Sequence, residues 1–150
     1  MSNRFNRACR RVDVAIGILV DRGSSGWRIL ITRRPRQVVL GGYWELPGGK
    51  IHAGESPEHC VVREFQEEVG LTVKPTRALS KVEHTYEHGH VVLYPFVCQW
   101  TGGVIEHRAV ADHRWVRADE LDAFRFPPAN RPLMTEIDRL FGTVADPEQG

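Results

Sequence analysis

The 150-residue chain is short of several things, and each shortage removes a class of function. Its three cysteines, at positions 9, 60 and 98, include no C-x-x-C pair. An odd number at irregular spacing supports neither a disulfide framework nor a cysteine zinc site. Cys60 reads instead as a small buried apolar residue. Charge of one sign is also missing: 20 Lys and Arg against 19 Asp and Glu leave a net +1. That balance gives no electrostatic case for a stable nucleic-acid partner or a membrane surface. No apolar run approaches the roughly 20 residues of a membrane span. The basic opening MSNRFNRACRR lacks the apolar stretch of a signal peptide, so a reducing cytoplasm is the expected compartment. Seven histidines are scattered, none with the H-x-E or H-E-x-x-H spacing of a zinc enzyme, and they read as surface or strand residues.

What is present is the composition of an ordinary globular protein, 41% hydrophobic and 26% charged. The length suits one domain with a single sizeable core. We expect a basic arm over 1–11, one domain over 12–141, a flexible tail over 142–150 and a monomer. Val12–Val20 is apolar and β-branched, and reads as a buried strand. Trp27–Thr32 is its hairpin partner across the turn DRGSSG. Tyr43–Leu46 reads as a short extended segment and Pro47-Gly48-Gly49 as a turn. Ser56-Pro57 is a helix start, and Gly70 is its stop. Two strands are expected at Leu79–Tyr86 and His90–Trp100, and a short one at His113–Val116. A brief helix starts near Ala118, and Arg131–Phe141 is a closing helix. The order of elements implies an α/β sandwich built on a mixed sheet.

The densest chemistry lies at 49–71, GKIHAGESPEHCVVREFQEEVGL. Glu64, Glu67 and Glu68 stand at i, i+3 and i+4, on one face of the expected helix. Like charges at that spacing destabilise a helix unless a cation offsets them. Mg²⁺ suits such a site, because it takes oxygen ligands and completes its shell with water and substrate phosphates. The glycine turn could add a backbone carbonyl. A lone E-x-x-E-E reads more readily as a solvated face, so the longer pattern decides.

The full pattern is Gly49-x5-Glu55-x7-Arg63-Glu64-Phe65-x-Glu67-Glu68-x-Gly70-Leu71, and it resembles the Nudix box at every fixed position. The resemblance implies the Nudix α/β/α sandwich and hydrolysis of nucleoside diphosphate derivatives with Mg²⁺ or Mn²⁺. It implies that Glu64, Glu67 and Glu68 are metal ligands and that Gly48 offers them a carbonyl. Arg63 would pair with a box carboxylate, and Glu55 would brace the loop.

Segments outside the box resemble the MutT-like branch of that family, the bacterial 8-oxo-dGTP diphosphatases. These are Ile31-Thr32-Arg33-Arg34, Glu45-Leu46-Pro47-Gly48-Gly49-Lys50 and Phe126-Pro127-Pro128-Ala129-Asn130. The branch implies that Asn130 reads the oxidised base, since an amide offers both a donor and an acceptor to a purine edge. From the residues alone, Asn130 could instead cap the helix that follows. Arg34 would touch phosphate or sugar, and Lys50 a phosphate. Leu46, with Glu45 beside it, would line the pocket where the branch carries phenylalanine. The branch also has a glutamate in the loop before the last sheet strand. The matching position here is Ala109; Glu106 and Asp112 flank it, and Glu106 is the preferred substitute. The implied activity is hydrolysis of 8-oxo-dGTP to the monophosphate and pyrophosphate, which clears a mutagenic nucleotide before DNA replication. Two alternatives remain: a Nudix hydrolase of CTP, a dinucleoside polyphosphate or a nucleotide sugar, and a non-catalytic nucleotide-sensing Nudix module.

Overall fold

The computed structural model describes residues 10–142. The expected arm, apart from Arg10 and Arg11, lies outside those residues, as does the expected tail apart from Gly142. The strands are β1 (Arg11–Gly23), β2 (Gly26–Arg33), β3 (Trp44–Glu45), β4 (Gly48–Lys50), β5 (Thr72–Ala78), β6 (Val82–Tyr86), β7 (Gly89–Gly102) and β8 (Asp112–Val116). The α-helices are α1 (Pro57–Val69) and α2 (Arg131–Phe141), and short 3-10 turns cover Ala118–Ala123 and Pro128–Asn130.

All eight strands join one mixed sheet. β1 and β7 run parallel at its centre, paired from Arg11↔His90 to Val20↔Gln99. β1 and β2 form the expected hairpin but pair only from Val20↔Ile29 to Gly23↔Gly26. Beyond that point they part, and β3 and β4 fill the opening. β3 pairs with β2, and β4 with β1. The N–H of Gly17 donates to Pro47 O at 2.9 Å, which fixes the link between them.

Strand alternation sends β1 side chains to two cores. Ala15 and Leu19 pack with Cys60, Val61, Phe65 and Val69 of α1. Ile16 and Ile18 pack with Leu46, Leu121, Leu133 and Ile137 on the α2 side. Gly17 lies under the Phe65 ring, where a β-carbon would collide with it. The sheet is thus covered on both faces, as the expected sandwich requires.

Two expectations change. Gly48–Lys50 is a strand rather than a turn, because β1 leaves its edge free after the hairpin splits. Leu79–Tyr86 is not one strand: β5 ends at Ala78 and β6 begins at Val82. β5 lies before the expected strand and contains Pro75, which lacks a backbone N–H. The structure accommodates it by placing β5 at the end of the sheet order, with an irregular register between Pro75 and Arg77.

Candidate active site

Helix α1 is built from its ends. Ser56 Oγ accepts the His59 N–H at 3.1 Å, and Pro57 occupies the first turn. At the other end Gly70 turns left-handed at φ 70°, and its N–H donates to Gln66 O at 3.1 Å. Cys60, Val61, Phe65 and Val69 face the sheet, so Arg63, Glu64, Glu67 and Glu68 are carried on the other faces of the same helix.

Arg63 is the centre of the arrangement. Its Nε and Nη2 donate to the two carboxylate oxygens of Glu55 at 2.7 and 3.0 Å. Nη1 donates to Glu64 at 3.0 Å and to Glu67 at 3.1 Å. Nη2 also reaches Lys50 O at 3.1 Å. One guanidinium therefore fastens the 50–56 loop to the helix and aligns two box glutamates. Glu55 also accepts the His52 N–H at 3.1 Å. The bonds from Arg63, then that N–H, hold the Glu55 carboxyl down to about 2.

Facing the helix, β4 supplies backbone. The Gly48 N–H donates to Glu68 Oε2 at 3.0 Å. Glu64 fills the space over Gly49, where a β-carbon would overlap its carboxylate. β3 adds Glu45, which pairs with Arg34 Nη1 at 3.0 Å. Arg34 Nε is held by Val39 O at 2.8 Å. Lys50 is exposed, and its carbonyl accepts from Arg63.

Electrostatics sets this cluster apart from a solvated face. Burial raises Glu45, Glu64 and Glu68 above the ordinary carboxylate value. For Glu68 the rise is large, and the neighbouring charges of Glu45 and Glu64 add to it. Glu45, Glu55, Glu64, Glu67 and Glu68 face two guanidiniums, Arg34 and Arg63. This all-oxygen, surplus-negative donor set fits a hard divalent cation.

The remaining expected residues divide. Asn130 is buried in the turn before α2, and its side chain does not cap the helix. Among the described residues it makes no side-chain hydrogen bond, so its amide remains available. Leu46 is 2% exposed and packed in the α2-side core, so it forms the floor of that region rather than an open surface. Glu106 lies beside the C-terminal end of α1. Its carboxylate pairs with Arg108 at 3.0 Å, while its N–H caps Val69 O at 2.9 Å. The loop that carries it serves the end of α1: Arg108 and Ala109 N–H both donate to Glu68 O at 3.1 Å.

One grouping was not visible in the sequence. His107, Asp112 and His113 present ligand atoms within 4.8 Å of one another. The signal was hidden because His107 lies in a loop and His113 in a strand, and no short spacing rule links them.

Comparison with known proteins agrees with this geometry. The NUDIX domain family matches residues 15–136. The 8-oxo-dGTP diphosphatase of Escherichia coli K12 is 34% identical over 131 residues, covering 87% of this chain and 99% of that protein. A MutT structure from work on Aliivibrio salmonicida and Vibrio cholerae is 33% identical, with TM-score 0.67, covering 88% of this chain and all of that one. A MutT protein structure from Methanosarcina mazei Go1 shares the fold, with TM-score 0.75 at 23% identity over 88% of this chain and 96% of that one. A box whose arginine, glutamates and glycines meet around one helix, on a sheet of this topology, makes the chain a MutT-like member of the Nudix hydrolase family.

Proposed function

We propose that this hydrolase cleaves a nucleoside triphosphate to the monophosphate and pyrophosphate, with 8-oxo-dGTP as its preferred substrate. The observation that carries the reading is the half-buried, mutually repelling set Glu45, Glu64 and Glu68 beside the Gly48–Lys50 backbone. Glu64, Glu67 and Glu68, with the Gly48 carbonyl, would hold Mg²⁺, for which Mn²⁺ can substitute. Bound there, the metal neutralises phosphate charge and lowers the pKa of a coordinated water.

The chain's own residues do the rest. Arg63 fixes the directions of Glu64 and Glu67 and uses Glu55 as its anchor. Arg34, held by Glu45 and Val39 O, presents a positive edge to the phosphate or sugar. Lys50, exposed at the end of β4, would contact a phosphate. The unengaged Asn130 amide supplies the donor and acceptor that distinguish an oxidised purine edge. A site that leaves its polar groups unpaired with the wrong base discriminates strongly. The substrate is a free nucleotide, and the activity sanitises the nucleotide pool of a cytoplasmic compartment.

The test is steady-state hydrolysis with Mg²⁺ on 8-oxo-dGTP and dGTP. A higher kcat/KM on the oxidised nucleotide, with pyrophosphate released, is expected. Equal values on the two would overturn the substrate assignment, and unchanged hydrolysis by Glu64→Gln would overturn the catalytic one.

A further inference from the structure

The face of the sheet beside the box holds a second group of ligand-type side chains. His107 Nε2 and His113 Nδ1 lie 2.7 Å apart and share one hydrogen bond. Their rings meet edge to face, with centroids 5.0 Å apart. Asp112 completes the group, every ligand atom lying within 4.8 Å of the others. Asp112 Oδ1 is fixed by the His113 N–H at 2.8 Å, and Arg114 approaches Oδ2 only at 4.0 Å. The donors come from two elements, the loop before β8 and β8 itself.

An independent observation lies next to it. Thr32 is fully buried, and its Oγ1 has no hydrogen-bond partner among the described residues. Thr32 is directly opposite His113 on one side and Glu45 on the other. Opposed residues of an antiparallel pair project to the same face. The orphan hydroxyl therefore lies on the face that carries both His113 and Glu45.

We propose that His107, Asp112 and His113 form a second divalent-metal site, one that takes an imidazole-preferring transition ion such as Zn²⁺. Two imidazoles and one carboxylate select such an ion over Mg²⁺, which favours oxygen ligands. Burial, then the neighbouring His107, lowers the affinity of His113 for a proton, and Asp112 works against them. Metal entry displaces the proton shared between the rings, and the ring that carried it takes a proton on its other nitrogen, so both ligate as neutral imidazoles. Two strand spacings, about 10 Å, separate the backbones of His113 and Glu45, with Thr32 between them. The site also has a mechanical role. It clips the 103–111 loop to β8, and that loop caps the Glu68 carbonyl through Arg108 and Ala109.

The test measures Zn²⁺ binding to the full chain by equilibrium dialysis in excess Mg²⁺, which occupies the carboxylates and leaves imidazoles free. One equivalent is expected to be retained, and the imidazole resonances of His107 and His113 are expected to shift. His107→Ala, an exposed substitution, should lose that equivalent, with at least a tenfold weaker affinity, while Glu67→Gln retains it. No zinc retained, or zinc retained equally by His107→Ala, overturns the proposal. Loss of the zinc in Glu67→Gln also overturns it, because the ion would then belong to the box. The outcome is independent of the substrate assignment, since no nucleotide is present.

Discussion

The Glu64 carboxylate lies directly over Gly49, in the space that a β-carbon there would fill. Gly48, one residue earlier, is closed from the other side, by the Ala15 carbonyl and Ile16 Cα. The two glycines are therefore needed for different reasons. Gly49→Ala displaces a side chain, whereas Gly48→Ala must move the backbone of a central strand. We expect Gly49→Ala to retain its thermal stability to within about 1 kcal/mol. Its hydrolysis should fall by about 100-fold, the usual consequence of misplacing a reacting group by an ångström. Gly48→Ala should lose about 1–3 kcal/mol through overpacking. Thermal unfolding and kcat measured on both variants separate these outcomes; equal loss of stability in both would refute the distinction.

Much of this site was legible because its order along the chain matches its order along one helix. Glu64, Glu67 and Glu68 are brought together by helical periodicity, and Ser56, Pro57 and Gly70 mark the ends of the helix. Contacts across elements were not legible. Glu106 was expected near the metal, yet its partner is Arg108, because the loop folds back to cap α1. The meeting of His107 and His113 depends on how the loop before β8 folds back, which no short spacing rule encodes. β5 was not expected; it tolerates Pro75 because a missing N–H matters only where a strand has neighbours on both sides, and β5 ends the sheet.

Arg63 makes hydrogen bonds to three carboxylates and a backbone carbonyl with one planar fork. A lysine is a single point donor and cannot reproduce that geometry. Arg63→Lys should lower kcat about 10–100-fold, as removing a group that orients metal ligands does. It should also free Glu55, and with it the His52 N–H that Glu55 accepts. Hydrogen exchange at His52 is the readout: faster exchange together with reduced kcat is expected. Unaltered protection would show that the loop does not depend on Arg63.

The carboxylates make stability depend on pH in opposite directions. Glu55 is depressed to about 2, so its contribution is present above the ordinary carboxylate value and is lost as pH falls toward 2. Glu45, Glu64 and Glu68 are raised from 4.5, so the folded state holds more protons than the unfolded state above that value. The slope is then negative, and stability falls as pH rises through the raised folded values. In EDTA, the Tm should decline as pH is increased above about 4.5 through that window. Mg²⁺ should reverse the decline, because a bound cation favours the ionised carboxylates. Thermal scans across pH with EDTA and with Mg²⁺ check both signs, and parallel curves would count against a metal at these glutamates.

Asn130 gives the sharpest separation of binding from folding. It is buried, yet its amide bonds to no described residue and does not cap α2. A buried amide with an intramolecular partner would lose about 0.5–1.5 kcal/mol of stability on replacement. Asn130→Ala loses no such bond, so its Tm should change little. If the amide is kept for the base, the loss appears in recognition. Each absent hydrogen bond is worth up to about tenfold in affinity, so two should reduce the preference for 8-oxo-dGTP over dGTP by roughly 10–100-fold. kcat on saturating nucleotide should change less than KM, because the phosphate-side residues are untouched. A variant with a lowered Tm and an unchanged preference would instead assign Asn130 to the fold.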